Sequence, residues 1–208
     1  MVVKRNLRLR FLLRGLMTLS VLIWPVISTA AEQLKLADIS AYLNSLTTLK
    51  SGFRQVNDDG SVSTGTLYIR RPGRMRFEYD PPEQALVLAS ASAVYIIDGK
   101  SNQPPETYPL NRTPLSLILA PKVDLTRANM VREARFDGRT TTVTAADPDN
   151  PDYGHIELTF TDNPTRLQKW VIFDAGGGQT TVELEAFETG MTLPSALFDP
   201  DSERQRDR

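Results

Sequence analysis

The sequence predicts an α+β fold, with short helices lying against one face of a curved antiparallel sheet. Two observations predict it: one stretch near the start places apolar residues at helical spacing, and much of the remainder alternates apolar and polar residues with period two. Sequential strands joined by short turns form an up-and-down sheet that curls towards closure. The helices can bury their apolar stripes only against one face of that sheet.

Residues 1–30 have the features of a cleaved signal peptide. Five basic residues lie within the first 14 positions, an apolar stretch fills residues 16–27, and Ser28-Thr29-Ala30 supplies the small residues that a signal peptidase reads. A membrane anchor is the alternative, but a span needs about 20 apolar residues. We therefore expect secretion, and a single domain over residues 31–208 that ends in a mobile charged tail at about 201–208.

Export changes the charge balance of the protein. The full chain has 24 basic and 25 acidic residues, and loss of the signal peptide leaves 19 against 25, a net charge of −6. An acidic protein repels nucleic acid, which we exclude as a partner. The chain has no cysteine, so it can be neither cross-linked by a disulfide nor anchored by a lipidated cysteine. We expect an unanchored monomer in the periplasm of a double-membraned bacterium.

Two helices are predicted from the apolar spacing. In the first, apolar residues recur at three- and four-residue intervals over residues 34 to about 49, with Asp38 as the N-cap. The second is a short, lid-like helix at residues 114–119, which Thr113 can cap and Pro114 can begin.

About eight to ten strands are predicted from the period of two. The turn signal Pro72-Gly73 joins two of them into a hairpin, and the segment 104–109 is broken by prolines. The predicted strands cover residues 52–56, 64–71, 74–79, 85–89, 93–97, 139–145, 155–161, 167–174 and 180–187.

The sequence carries no pattern that predicts an enzyme. His155 is the only histidine and has no metal-ligand spacing around it. The acidic runs at residues 57–60 and 147–152 have the composition of solvated turns and lack the pattern of a calcium loop. Neither a G-x-S-x-G nucleophile elbow nor a phosphate-binding loop occurs. We therefore expect no catalytic residue, no metal and no cofactor.

Arg71 is the residue that invites a functional interpretation. If the strand is regular to its end, Arg71 shares a face with Leu67 and Ile69, so that a guanidinium borders an apolar surface. In one interpretation Pro72 ends the strand and Arg71 snorkels to water. In the other, the five donors of Arg71 form hydrogen bonds with acceptors of the helices that lie over the sheet, and so keep these helices closed as a lid.

The sequence predicts two apolar stripes that face the interior. Their periodicity is compatible both with a filled core and with an open cavity. The stripes are Met75, Phe77 and Tyr79 on one strand and Ile156, Leu158 and Phe160 on another.

Residues 65–79 (GTLYIRRPGRMRFEY), followed by Pro81-Pro82, resemble the signature of the LolA family of outer-membrane lipoprotein carriers. The resemblance covers residues 34–198. It departs from the family at residues 89–92, where an aspartate-glycine turn is usual, and after Phe198, where the end is short. Further matches are Phe53-Arg54-Gln55, Tyr108-Pro109-Leu110, Thr113-Pro114-Leu115, and Asp162-Asn163-Pro164 with Leu167, Trp170 and Asp174.

The resemblance implies a strongly curved antiparallel sheet that forms an incomplete β-barrel covered by short helices. It implies that Arg71, with Pro72, gates the lid. It also implies loading by an inner-membrane ABC-type lipoprotein-releasing complex and delivery to an outer-membrane lipoprotein receptor. The residues that we expect to contact lipoprotein acyl chains are Leu67, Ile69, Met75, Phe77, Tyr79, Leu117, Ile118, Ile156, Leu158 and Phe160.

The leading hypothesis is therefore a periplasmic chaperone that carries lipoproteins from the inner to the outer membrane by hiding their acyl chains from water. Transfer needs no nucleotide on this chain if the receptor binds the cargo more tightly. Two alternatives stay open: a carrier of free lipid or glycolipid with the same barrel, and a structural or interaction module of the envelope whose sheet is packed solid.

Overall fold

The computed structural model describes residues 32–101 and 103–202. The predicted signal peptide, residues 1–30, and residues 203–208 of the predicted tail lie outside the described residues. Within the described part of the chain, no helix combines the length and the apolar composition that crossing a membrane requires.

The first helix is shorter than predicted. Helix α1 spans Leu36–Ser45, and the prediction that it runs to residue 49 was wrong because the first strand begins at Thr48. The N-cap position is occupied by Lys35, so the prediction for Asp38 was wrong as well. Asp38 lies in the first turn, where its negative charge interacts favourably with the helix dipole.

The second helix, α2, spans Leu115–Leu119 and lies where the sequence predicts it. The N-cap position belongs to Pro114, and the predicted cap at Thr113 was wrong. The Thr113 hydroxyl instead donates a hydrogen bond of 2.8 Å to the carbonyl oxygen of Leu110. A 3₁₀ turn at Leu110–Arg112 leads into this helix.

The described residues form one sheet of eleven strands, one more than the upper prediction. The strands are β1 Thr48–Val56, β2 Val62–Arg70, β3 Arg74–Tyr79, β4 Ala85–Ser90, β5 Ala93–Asp98, β6 Glu106–Pro109, β7 Val131–Phe136, β8 Thr140–Ala145, β9 His155–Thr161, β10 Arg166–Phe173 and β11 Gln179–Thr189.

The strand order is β6-β5-β4-β3-β2-β1-β11-β10-β9-β8-β7. Every pairing is antiparallel, and strands that are adjacent in sequence are paired, apart from β6 and β7. The first strand also pairs with the last, which joins two halves of the sheet at its centre. Strands β6 and β7 form the two edges of the sheet, so the barrel is incomplete, and the predicted fold class is confirmed.

Both edge strands escaped prediction. Strand β7 carries the charged residues Arg132, Glu133 and Arg135, which hide its alternation, and β6 ends in proline. Edge strands tolerate charges and proline because one side of their backbone is unpaired. In the turn between β4 and β5, Ala91 and Ser92 have φ angles of 47° and 66°, the left-handed region that usually favours glycine.

One face of the sheet carries the main core. Along β2 the buried positions alternate and include Leu67 and Ile69, while α1 places Ile39 and Leu43 against the same cluster. A fully buried side chain of this kind stabilises the fold by about 1.5–3 kcal/mol. The helices are therefore held on the sheet chiefly by apolar contact.

Candidate functional site

The residues that we expect to contact acyl chains lie together in one apolar interior. They belong to a single cluster that joins the inner face of β2, β3 and β9 to α2. Eight of the ten are buried, and Tyr79 and Leu117 are partly buried against them. Their contact with acyl chains stays a prediction.

Aromatic rings form the floor of this interior. The ring of Phe53 lies edge-on to Phe77 and Tyr79, with centroids 5.0 Å and 5.2 Å apart. Phe77 in turn lies 6.3 Å from Trp170, which brings the two halves of the sheet into contact. Sequence analysis did not place Phe53 in the site, because the alternation around it is weak.

Arg71 lies one residue beyond the end of β2, and its side chain contacts both helical segments. Its Nη1 donates a hydrogen bond to the carbonyl oxygen of Leu43 in the last turn of α1. Its Nη2 donates to the carbonyl oxygen of Ala120, directly after α2, at 2.7 Å and to Asn44 Oδ1 at 3.3 Å. Since α1 has no basic residue in its last turn, Arg71 supplies the positive charge that a helix C-terminus attracts.

The backbone of the same turn strengthens this connection. The Arg71 amide donates to the carbonyl oxygen of Thr47 at 2.8 Å, and the Gly73 amide donates to that of Leu119 at 2.9 Å. The β2–β3 turn is therefore joined to the chain after α1 and to the end of α2. We call α1 and α2 together the lid.

The Arg71 guanidinium is bonded to neutral acceptors. Burial lowers its pKa, and no neighbouring carboxylate among the described residues offsets this. Its Nε is buried without a hydrogen-bond partner in the described part of the chain. Arg71 is half-buried, and withdrawing a charge from water without a counter-ion has an energetic cost. The hydrogen bonds of Arg71 therefore add to the apolar contact of the helices only what remains after the desolvation of the guanidinium.

The space beneath the lid is nearly filled by side chains. The cavity next to Arg71 has a volume of about 20 Å³, which is room for about one water molecule. It is far too small for an acyl chain of a dozen carbons, so no such chain fits beneath the helices in this structure. The cavity is lined by Leu43, Leu46, Leu49, Ile69, Arg71, Ile118 and Leu167.

Two larger clefts lie beside α2, with volumes of about 500 Å³ and 620 Å³. Both sizes are within the range of small-molecule sites. In the larger cleft, Leu115 and Ile172 also pack against the main core. The first cleft is lined by Pro72, Gly73, Arg74, Ala91, Ser92, Leu110, Asn111, Ser116, Leu119, Ala120 and Pro121, and the second by Tyr108, Pro109, Arg112, Thr113, Pro114, Leu115, Tyr153, Ile172, Asp174, Ala175 and Gly176.

We expect the protein to lose stability at high pH because the phenol of Tyr79 must then ionise. Burial raises the pKa of Tyr79 to about 12, and its hydroxyl donates a hydrogen bond of 2.7 Å to Gln55 Oε1. In the unfolded chain the phenol ionises at pH ~10. Its contribution to the free energy of unfolding is therefore complete below that pH and is lost as the pH rises towards 12. Urea unfolding at a series of pH values should show this loss, and Tyr79→Phe should reduce it. An equal loss in both proteins would contradict the assignment.

His155 lies in a structural environment. Its ring stacks on Phe173 with centroids 4.3 Å apart, and burial lowers its pKa, with Arg132 acting in the same direction. Across residues 32–101 and 103–202, no group of three potential metal-ligating side chains comes together.

Comparisons with known proteins identify the family. The family model "Outer membrane lipoprotein carrier protein LolA" matches residues 44–201. An outer-membrane lipoprotein carrier protein from Methylobacillus flagellatus is 22% identical over 91% of this chain and 94% of its own length. One from Chromohalobacter salexigens is 26% identical over 77% of this chain and 79% of its own. A solved LolA superfamily protein from Nitrosomonas europaea has a TM-score of 0.43 at 10% identity, covering 81% of this chain and 99% of that protein. Since the family model matches most of the sequence, the chain belongs to the LolA family of outer-membrane lipoprotein carrier proteins.

Proposed function

We propose that this protein is a periplasmic, non-enzymatic carrier that takes the acyl chains of lipoproteins beneath its lid. It moves them from the inner to the outer membrane. The observation that carries the proposal is the contact of Arg71 with the carbonyl oxygens of Leu43 and Ala120. A single side chain thus connects two short helices above an interior lined by apolar side chains.

The energies favour opening of this lid by cargo. Each methylene removed from water contributes about 0.8 kcal/mol, so a chain of about a dozen methylenes gains about 10 kcal/mol. A hydrogen bond to a charged group contributes about 1.5–3 kcal/mol. The hydrogen bonds of Arg71 therefore cost less to break than one acyl chain gains. The apolar contacts that the helices lose are replaced by contacts with the chain.

Release follows from the same balance. When a receptor with higher affinity takes the chains, the lid regains its hydrogen bonds and the interior fills again with side chains. No nucleotide on this chain is required. In this proposal an inner-membrane ABC-type lipoprotein-releasing complex loads the protein, and an outer-membrane lipoprotein receptor unloads it.

Release of lipoproteins from spheroplasts tests the proposal. Incubation with the secreted form of the protein should yield a soluble complex of lipoprotein and carrier. Absence of released lipoprotein would contradict it. Mass spectrometry of the copurified material should find acylated protein, whereas diacyl lipid without protein would favour a carrier of free lipid or glycolipid. A fluorescent fatty acid that finds no saturable site would favour a solid structural module.

A further inference from the structure

A second polar contact connects α1 to the chain that follows α2. We call residues 120–125, which follow α2, the connector. The side chain of Asn44, in the last turn of α1, donates from Nδ2 to the carbonyl oxygen of Val123 at 2.8 Å. Its Oδ1 accepts from the amide of the same residue at 2.9 Å. One side-chain amide thus satisfies both backbone groups of one connector residue.

These two bonds fix the orientation of the Asn44 amide. Reversing it would place the NH₂ group against the Val123 N–H and the oxygen against the Val123 carbonyl, which would lose both bonds. The oxygen of Asn44 is therefore held towards Arg71, whose Nη2 donates to it at 3.3 Å. The contact of Asn44 with the connector thus orients the side-chain oxygen that accepts from Arg71.

Ser40, one turn earlier in α1, supports the same connection. Its hydroxyl accepts a hydrogen bond of 2.9 Å from the Leu125 amide and donates one of 2.7 Å to the carbonyl oxygen of Leu36. The side chains of Val123 and Leu125 are 5% and 2% exposed. The connector is therefore joined to α1 by polar contacts at two positions and by buried apolar contact.

We propose that Asn44 is a positioning residue for Arg71, and that it sets how firmly the closed form excludes cargo. The inference rests on the proposed function. Arg71 and Asn44 both bond to the connector and to each other. Losing either one therefore weakens the same contact between α1 and the connector. Because the closed interior has no room for a chain, weakening that contact increases the fraction of protein able to bind cargo.

The replacement Asn44→Ala removes the three hydrogen bonds made by the amide and leaves Arg71 in place. We expect the affinity for an acyl chain to rise about threefold to tenfold, because the closed form loses stabilisation that the cargo-bound form does not have. In the double variant with Arg71→Leu, the gain should be smaller than the product of the two single gains, since both residues act on one contact.

Two further variants separate positioning from general weakening of α1. Ser45→Ala removes a hydroxyl on the same helix that bonds only within it, to the carbonyl oxygen of Tyr42 at 2.6 Å, and should leave the affinity unchanged. Asn44→Asp loses the hydrogen bond to the Val123 carbonyl oxygen, but it keeps an oxygen for Arg71 and for the Val123 amide. Its negative charge opposite Arg71 should offset that loss. This variant should bind the chain no more tightly than the unmodified protein.

The experiment measures the dissociation constant of a fluorescent palmitate analogue for each variant, with hydrogen–deuterium exchange of the ligand-free proteins as a second readout. Support requires tighter binding by Asn44→Ala, non-additivity with Arg71→Leu, and faster exchange at residues 120–125 in both single variants. Unchanged affinity in Asn44→Ala, or equal gains in Asn44→Ala and Asn44→Asp, would overturn the inference. If Asn44→Ala does not fold, tighter binding by Asn44→Asp overturns it and equal or weaker binding supports it.

Failure of the proposed function gives a different result. Lack of binding by the unmodified protein would contradict the carrier proposal. Exchange of the connector amides would then decide the inference, because it reports the contact between Asn44, Arg71 and the connector without any ligand. Faster exchange in Asn44→Ala and Arg71→Leu would still support the shared contact, and unchanged exchange would overturn it.

Discussion

Replacing Arg71 with leucine is expected to slow the transfer of acyl chains from the protein to an acceptor membrane by about tenfold or more. Leucine retains apolar contact with the interior but cannot make the hydrogen bonds to Leu43, Asn44 and Ala120. Uptake should persist, because the apolar interior is intact. The rate at which a fluorescent fatty acid leaves the protein for phospholipid vesicles measures the effect.

Arg70 provides a matched control for this experiment. It has the same charge and is adjacent in sequence, but its guanidinium donates hydrogen bonds of 3.0 Å to the carbonyl oxygen of Leu193 and to Ser195 Oγ. Arg70→Leu should therefore leave the transfer rate unchanged. Equal slowing in the two variants would indicate a general effect of lost charge, and no slowing in either would return Arg71 to a solely structural role.

Replacing Phe160 with alanine is expected to lower the free energy of unfolding by about 3–5 kcal/mol. Phe160 is fully buried on β9, and its ring meets that of Tyr42 on α1 edge-on with centroids 6.0 Å apart. Its loss leaves a cavity between sheet and helix that the neighbouring side chains refill only in part. Urea denaturation followed by circular dichroism measures the change.

The exposed aromatic residue Tyr108 serves as the control for Phe160. It lies on edge strand β6 and is 46% exposed, so Tyr108→Ala should change the free energy of unfolding by no more than about 0.5 kcal/mol. A loss below 1 kcal/mol in Phe160→Ala would show that the interior is loosely packed in solution, contrary to the small cavity seen beneath the lid.

The fold was predictable from sequence because most strands bury one face and therefore alternate. The hairpin at Pro72-Gly73 and the short helix after Pro114 follow from local chemistry in the same way. The edge strands were not, since a strand that is largely exposed needs no apolar alternation. The end of α1 was misplaced because Leu49 continues the helical spacing by chance, although it belongs to β1.

The candidate site was predictable only in part. Alternation brought the apolar stripes together and placed Arg71 beside them, and the family resemblance favoured a role for Arg71 in a lid. The partners of Arg71 had no comparable signal, because two of them are backbone carbonyl oxygens, which every residue carries. Asn44 reads as an ordinary polar position near the end of a helix, and its role depends on Val123, which lies 79 positions away.

The pairing of β1 with β11 also sets an order on folding. Arg54 and Glu183 face each other across this pairing although 129 positions separate them. Contacts so distant along the chain form slowly, because a long loop must close first. The centre of the sheet therefore waits for the last strand to be synthesised, and its two halves stay unjoined until then. An unfolded chain is the form that can thread a narrow translocation channel.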